Sequence, residues 1–293
     1  MTERDSSITR RQLGRYLREA REAVGLTLAD AAGLMEWSRS SLQRIETGQN
    51  QKIRIRDLDG LIEIYGIDND RAAGLRGLAQ QAAEKSWWHE YGGVIPANFS
   101  VYMGLESAAR TLTTYQPDLV PGLLQTGDYA RVLAQVASPG DSRDERESRV
   151  QLKLRRQTLI TRKRRPAHLE VVLAETVLRR MIGSPRIMAT QLRHLADAST
   201  LTNVSLRILP FSAGMPAGEQ IGPFVIMEFA ADSHGKPVEP TIVYAENYTG
   251  DMYSEKIGIV RRYTEAYDRI QRATLDAVCS RNLLRNLARE HHR

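Results

Sequence analysis

A single cysteine, Cys279, stands in a chain of 293 residues. One thiol makes no disulfide within the chain and no cysteine-based metal centre. Cys279 therefore reads as a small buried hydrophobe near the C-terminus. The six histidines (His89, His168, His194, His234, His291, His292) show no HExxH spacing, and only the last two adjoin. No metal site is expected from them. The phosphate-cradling GxxxxGK[ST] loop and the nucleophile elbow are missing too. Glu175 and Glu246 are candidate acids without a convincing partner in the sequence. Neither an enzyme nor a bound cofactor is expected. No run reaches the roughly 18 uncharged apolar residues that a membrane span needs. The opening Met-Thr-Glu-Arg-Asp-Ser-Ser lacks the apolar core of a secretory leader. The expectation is a cytoplasmic protein without membrane attachment.

What the chain does have is ordinary globular composition, 42% hydrophobic and 26% charged, enough to build a core. Its length suits two domains. Lys and Arg number 41 against 35 Asp and Glu, a formal net charge of +6, which favours an acidic partner such as nucleic acid. The excess is local. From Ile8 to Arg56 there are ten Lys/Arg and five Asp/Glu, a net of +5, while acidic residues predominate from there to Lys85.

That basic stretch carries the informative pattern. Leu13, Leu17, Ala20 and Val24 place an apolar face on a first helix, which Gly25 ends. Thr27 caps a second helix, with Asp30 three residues on as its capping-box partner. Leu28, Ala31, Ala32 and Met35 face inward on that helix, and the small alanines allow close approach of the next one. After a turn at Met35-Glu36-Trp37, Ser38 caps a third helix whose Leu42 and Ile45 point inward. Its outward positions are Arg39, Ser40, Gln43 and Arg44, with Ser41 at the edge and no carboxylate until Glu46. Gly48 closes it. Two short helices crossing at a tight turn, the second offering such a face, match the shape that enters a major groove. Arg pairs with guanine, Gln with adenine, and Ser with either. Lys52, Arg54 and Arg56 follow as phosphate contacts.

Leu26-Thr27, Ala31-Ala32, Trp37 through Leu42, and Arg44-Ile45-Glu46-Thr47-Gly48 resemble the lambda-repressor-like, xenobiotic-response-element-type helix-turn-helix family. The likeness extends over about residues 10–80. The family usually has Gln after the Thr that opens the second helix; here Leu28 stands there. The resemblance implies a DNA-binding transcriptional regulator whose DNA-binding residues are Arg39, Ser40, Ser41, Gln43, Arg44, Thr27, Lys52 and Arg54.

Past the aromatic patch Trp87-Trp88 and the pair Gly92-Gly93, residues 95–165 read mainly as helix, interrupted at Gln116-Pro117 and Val120-Pro121-Gly122. Short β-branched runs then follow: 168–174, 204–210, 223–230 and 241–245. A helical pattern separates the first two over 184–199, and another runs from Glu255 to about Arg289. The expected fold is thus multidomain: an all-α helix-turn-helix domain at 10–82, a linker or seam at 83–94, and an α+β domain with a small sheet at 95–290. Leu119-Val-Pro-Gly-Leu-Leu-Gln-Thr126 reads as a structural corner or the wall of a pocket. Phe211–Gly218 reads as a plain surface loop, a lid or a partner-binding loop. Arg162-Lys-Arg-Arg165 ends a basic run that is a solvated helix end or a DNA-flanking contact.

Phrases such as Trp87-Trp88, Tyr115-Gln116-Pro117, Val120-Pro121-Gly122, Leu209-Pro210-Phe211 and Val243-Tyr244-Ala245-Glu246-Asn247 resemble the C-terminal domain of actinobacterial WhiJ-like, antitoxin-like regulators. That resemblance implies a small companion protein as a partner. One helix-turn-helix reads few base pairs, so a homodimer on double-stranded DNA is expected. The second domain is expected to make the dimer and to receive a signal from a small-molecule ligand or the companion protein.

Overall fold

The computed structural model describes residues 8–49, 52–82, 91, 97–230, 239–248 and 250–291. The chain divides into two compact units, Met1–Ala108 and Ala109–Arg293. The first unit is helical: α1 (Ile8–Ala23), α2 (Leu28–Leu34), α3 (Arg39–Glu46), α4 (Ile55–Ile64), α5 (Asn69–Ala82) and α6 (Ala97–Ala108). Leu13, Leu17, Ala31, Ala32, Leu42 and Ile45 meet Leu58, Leu61 and Ile62 in one buried core. Leu28, Met35 and Trp37 pack against it from the side. Val24, expected on the inner face of α1, is 46% exposed. It follows the last helical residue, and Leu26 packs against the core instead.

The second unit is a six-stranded sheet with helices. In chain order it contains β1 (Ala109–Gln116), α7 (Gly127–Ala137), α8 (Arg143–Arg156), α9 (Thr158–Thr161), β2 (His168–Ala174), α10 (Glu175–Arg179), α11 (Pro185–Ala198), β3 (Val204–Leu209), β4 (Phe224–Phe229), β5 (Ile242–Asn247), β6 (Gly250–Ser254), α12 (Ile257–Arg272) and α13 (Ala277–Glu290). The strands lie in the order β3-β2-β1-β4-β5-β6. β1, β2 and β3 are mutually parallel, joined by helical crossovers. β4, β5 and β6 add as an antiparallel meander. In β2, Val171, Val172 and Leu173 are all buried, as expected of a parallel strand covered on both faces. Tyr115, Val172, Phe224, Ile226 and Val243 join Tyr267 and Ile270 of α12 in one cluster. The outer edge of β3 is closed by α13 and the connection before it: Ile208 N donates to the buried Ser280 Oγ at 3.0 Å, and Leu275 N donates to Ile208 O at 2.9 Å. Such cover removes an exposed strand edge.

Three further expectations need correction. Residues 109–116 are not helix but β1, a central strand between β2 and β4. Thr111, Thr113, Thr114 and Tyr115 supply the β-branched and aromatic character that favours a strand, and Thr114 Oγ1 donates to Phe224 O at 2.7 Å. The helical stretch 255–289 is two helices, parted at Ala273–Asp276. Cys279 is exposed rather than buried. It lies in the first turn of α13, where its N–H donates to the capping Asp276 carboxylate at 2.7 Å. That carboxylate raises the thiol's pKa, which lowers its reactivity.

The 119–126 segment is a corner. A short 3-10 turn at Gly122–Leu124 is held by three glutamines. Gln157 Nε2 donates to Gln125 O at 2.6 Å, Gln125 Nε2 to Val120 O at 2.7 Å, and Gln191 Nε2 to Leu124 O at 2.7 Å. Buried carbonyls left without these donors would each be costly. Residues 162–165 are exposed. Trp87-Trp88 and Gly92-Gly93 lie outside the described residues.

Candidate nucleic-acid interface

The geometry of α2 and α3 starts from their caps. Thr27 N and Oγ1 both donate to Asp30 Oδ2, at 3.1 and 2.6 Å, and Asp30 N donates back to Thr27 Oγ1 at 3.2 Å. These bonds hold the Asp30 carboxyl below its usual range. Ser38 Oγ accepts from Ser41 N at 3.2 Å and shares hydrogen bonds with the Ser40 and Ser41 hydroxyls at 3.0 and 2.8 Å. Between the helices Glu36 takes φ = 56°, a left-handed position that tightens the turn.

Two contacts fix α3 against α1. The first is a buried ion pair. Arg21 Nε meets Glu46 Oε1 at 2.7 Å and Arg21 Nη2 meets Oε2 at 2.9 Å, a bidentate arrangement. Arg21 Nη1 also donates to Leu26 O at 2.8 Å, and Arg18 Nη2 to Glu46 O at 3.2 Å. Both side chains of the pair are under one tenth exposed. The carboxylate raises the Arg21 pKa above its ordinary value. Tyr65 is buried beside the pair, and burial pushes its phenol up to about 12. The second contact is close backbone approach. A Cβ on Gly14 would meet Ile45 O and lie 2.6 Å from Glu46 O; one on Gly48 would lie 2.7 Å from Arg11 Cα. Gly48 also has φ = 69°, so glycine suits it twice over.

On this frame Arg39, Ser40 and Gln43 are exposed, while Ser41 and Arg44 are half-buried. Arg39, Ser40, Gln43 and Arg44 share the outer face of α3, and its first turn contains no acidic residue. Arg44 lies back along the helix, its Nη2 3.4 Å from Ser41 Oγ; its Nε is shielded from solvent and has no hydrogen-bond partner among the described residues. Lys52 and Arg54 are exposed beyond α3, Arg54 at the start of α4. Thr27 is exposed, but its side chain is engaged in the α2 cap. Leu28, where the family usually has Gln, is half-buried against the core.

Arg21 and Glu46 are not among the expected site residues; in the sequence Glu46 stands as the first carboxylate after the outward face and within the Arg44–Gly48 phrase. The signal was present: Arg21 continues the buried 13, 17 spacing of α1, and Glu46 follows 42 and 45 on the inner stripe of α3.

Among the described residues no group of His, Cys, Asp and Glu is arranged to hold a metal ion. No helix among them is long and apolar enough to cross a membrane. Residues 12–75 match the model of a helix-turn-helix domain, which points to a DNA-binding regulator. Residues 99–286 match the domain of unknown function DUF5753. No curated protein and no solved structure matches the chain. Since the second match spans more than half of the residues, the chain belongs to the DUF5753 family, with a helix-turn-helix domain preceding that domain.

Proposed function

We propose that the protein is a sequence-specific transcriptional regulator of the lambda-repressor-like kind, and that α3 is its recognition helix. The observation that carries this reading is the outer face of α3. Arg39, Ser40 and Gln43 stand exposed there, with no acidic residue in the first turn of the helix, which is locked to α1 by the Arg21–Glu46 pair. Arg39 and Arg44 read guanine edges, Gln43 reads adenine, and Ser40 and Ser41 adapt to either. Arg44 swings off the helix to do so. Lys52 and Arg54 hold phosphates and set the register, and Thr27 joins them when its hydroxyl turns from Asp30 to the DNA.

The domain division that accompanies this reading is 10–82 for DNA binding, 83–94 as seam and 95–290 for regulation. The last segment dimerises the protein and receives its signal in the cytoplasm, and the protein is not an enzyme. Two-fold pairing supplies the specificity that one helix lacks. The alternative reading is an antitoxin-like, WhiJ-like module that binds a small companion protein and regulates its own operon. A stoichiometric small protein that remains bound through purification and masks DNA binding would favour it.

Single substitutions separate base readers from phosphate contacts. Arg39→Ala and Arg44→Ala should each weaken specific binding by about 1–3 kcal/mol and relax the preference at one position. Lys52→Ala and Arg54→Ala should weaken binding to all sequences alike, each reducing the salt slope by about 1. Fluorescence anisotropy over a salt series measures both. Four variants that bind like the parent protein would refute the interface.

A further inference from the structure

The three parallel strands end on one edge of the sheet, β1 at Gln116, β2 at Ala174 and β3 at Leu209. Because the strand order is β3-β2-β1-β4, the chain leaving Leu209 must pass the ends of β2 and β1 before it enters β4 at Phe224. This crossing, residues 210–223, leaves a cavity of about 310 Å³ between itself and the strand ends. The carboxyl end of parallel strands is where open α/β sheets bind ligands, and small-molecule sites occupy about 300–1,000 Å³.

The charged side chains that line the cavity are all acidic. Asp118, Glu175 and Glu219 line it, and no Lys, Arg or His is among the described residues that do. Their arginine partners stand outside the lining: Arg180 lies 3.1 Å from Asp118 and Arg262 3.3 Å from Glu219. Those two pairs are exposed, so solvent screens them and they hold their carboxylates weakly. Glu175 is different. It is 9% exposed, its Oε1 accepts from Arg179 at 2.8 Å, and its Oε2 accepts from Phe211 N at 2.9 Å. It thereby ties the crossing segment to the end of β2. Tyr115, Phe211 and Met215 supply aromatic and apolar wall. Phe211 and Met215 are 58% and 62% exposed, leaving apolar surface at the mouth for a ligand to cover.

We propose that this cavity binds a small organic cation, an amine carried on an aromatic or branched aliphatic body. The amine meets the Asp118 and Glu219 carboxylates, which their exposed arginines hold weakly, and the body rests on Phe211 and Met215, with the aromatic faces also favouring the positive charge. An anion of the same shape finds every nearby arginine already paired with a lining carboxylate and binds more weakly. The inference goes beyond the DNA-binding reading and stands without it.

The full chain is titrated with phenethylamine, tryptamine and cyclohexylamine by calorimetry and ligand-observed NMR. Phenethyl alcohol and phenylacetate serve as neutral and anionic counterparts. At least one amine should bind, the alcohol on the order of tenfold more weakly than phenethylamine, and phenylacetate not detectably. Met215→Lys sets a like charge at the mouth from an exposed position and should cut amine affinity by about tenfold or more. Val136→Lys, at a site on α7 that is 75% exposed, adds the same charge elsewhere and should leave affinity unchanged. Asp118→Asn, at an exposed position, should lower amine affinity without disturbing the fold. Three silent amines, phenylacetate binding as well as phenethylamine, or Met215→Lys behaving like Val136→Lys would each overturn the proposal.

Discussion

Arg21→Ala should cost the helical unit about 3 kcal/mol, because it leaves the Glu46 carboxylate buried with its bidentate partner removed and only Arg18, at 3.6 Å, beside it. Domains are stable by only about 5–15 kcal/mol, so a loss of that size removes much of the folded population. The pair itself is not expected to be a large net source of stability, since desolvating two charges offsets most of their attraction. The double substitution Arg21→Met with Glu46→Leu should therefore recover most of what the single one loses. Urea denaturation followed by hydrogen exchange over residues 8–49 reads both variants in the same unit. A single substitution no worse than the double would show that the pair does not hold α3 to α1.

Gly14→Ala tests the same junction through sterics. Alanine in a helix interior is favoured over glycine by roughly 1 kcal/mol, so propensity alone predicts stabilisation. The new Cβ, however, would stand 2.6 Å from Glu46 O and 2.8 Å from Glu46 C. These are backbone atoms at the end of the proposed recognition helix, and they cannot rotate away. The clash should outweigh propensity, with a net loss of about 1–3 kcal/mol and a displaced α3. Gly74→Ala is the control: it lies within α5 with nothing within 4 Å of its Cβ, and it should stabilise by about 0.5–1 kcal/mol. Thermal unfolding compares the two. If Gly14→Ala raises the midpoint as Gly74→Ala does, the close approach is wrong.

The helix-turn-helix was legible in the sequence because its signals agree at several levels. The Thr27 and Ser38 caps, the small Ala31-Ala32 pair and the Leu42/Ile45 spacing each specify one local choice, and all are compatible with one packing. Residues 168–174, 204–210, 223–230 and 241–245 were readable as strands because turn residues bound them. Their counterparts in the sheet are β2 through β5. β1 was not, for it follows α6 directly at Ala108–Ala109 with no glycine or proline between them, and its pairing partners lie more than fifty residues away. β6 was missed because it has five residues and is defined by pairing with β5, including the Tyr244–Tyr253 ring contact at 5.0 Å. The Arg21–Glu46 pair was obscured by residue type. Charged side chains on helical stripes are ordinarily read as solvated, and only the crossing of α1 over α3 brings these two together. The cavity at the strand ends joins residues from 115 to 270, a separation that no local pattern encodes.

The central claim, that the outer face of α3 reads DNA, is tested most directly by selection from a random pool of duplex DNA at low salt. The parent protein and the Arg39→Ala/Arg44→Ala double variant are compared in parallel. The account predicts that the parent enriches a short motif, repeated as an inverted pair if the protein binds as a dimer, and that the double variant loses it while remaining folded. No enrichment by the parent, or the same motif recovered by the variant, would contradict it.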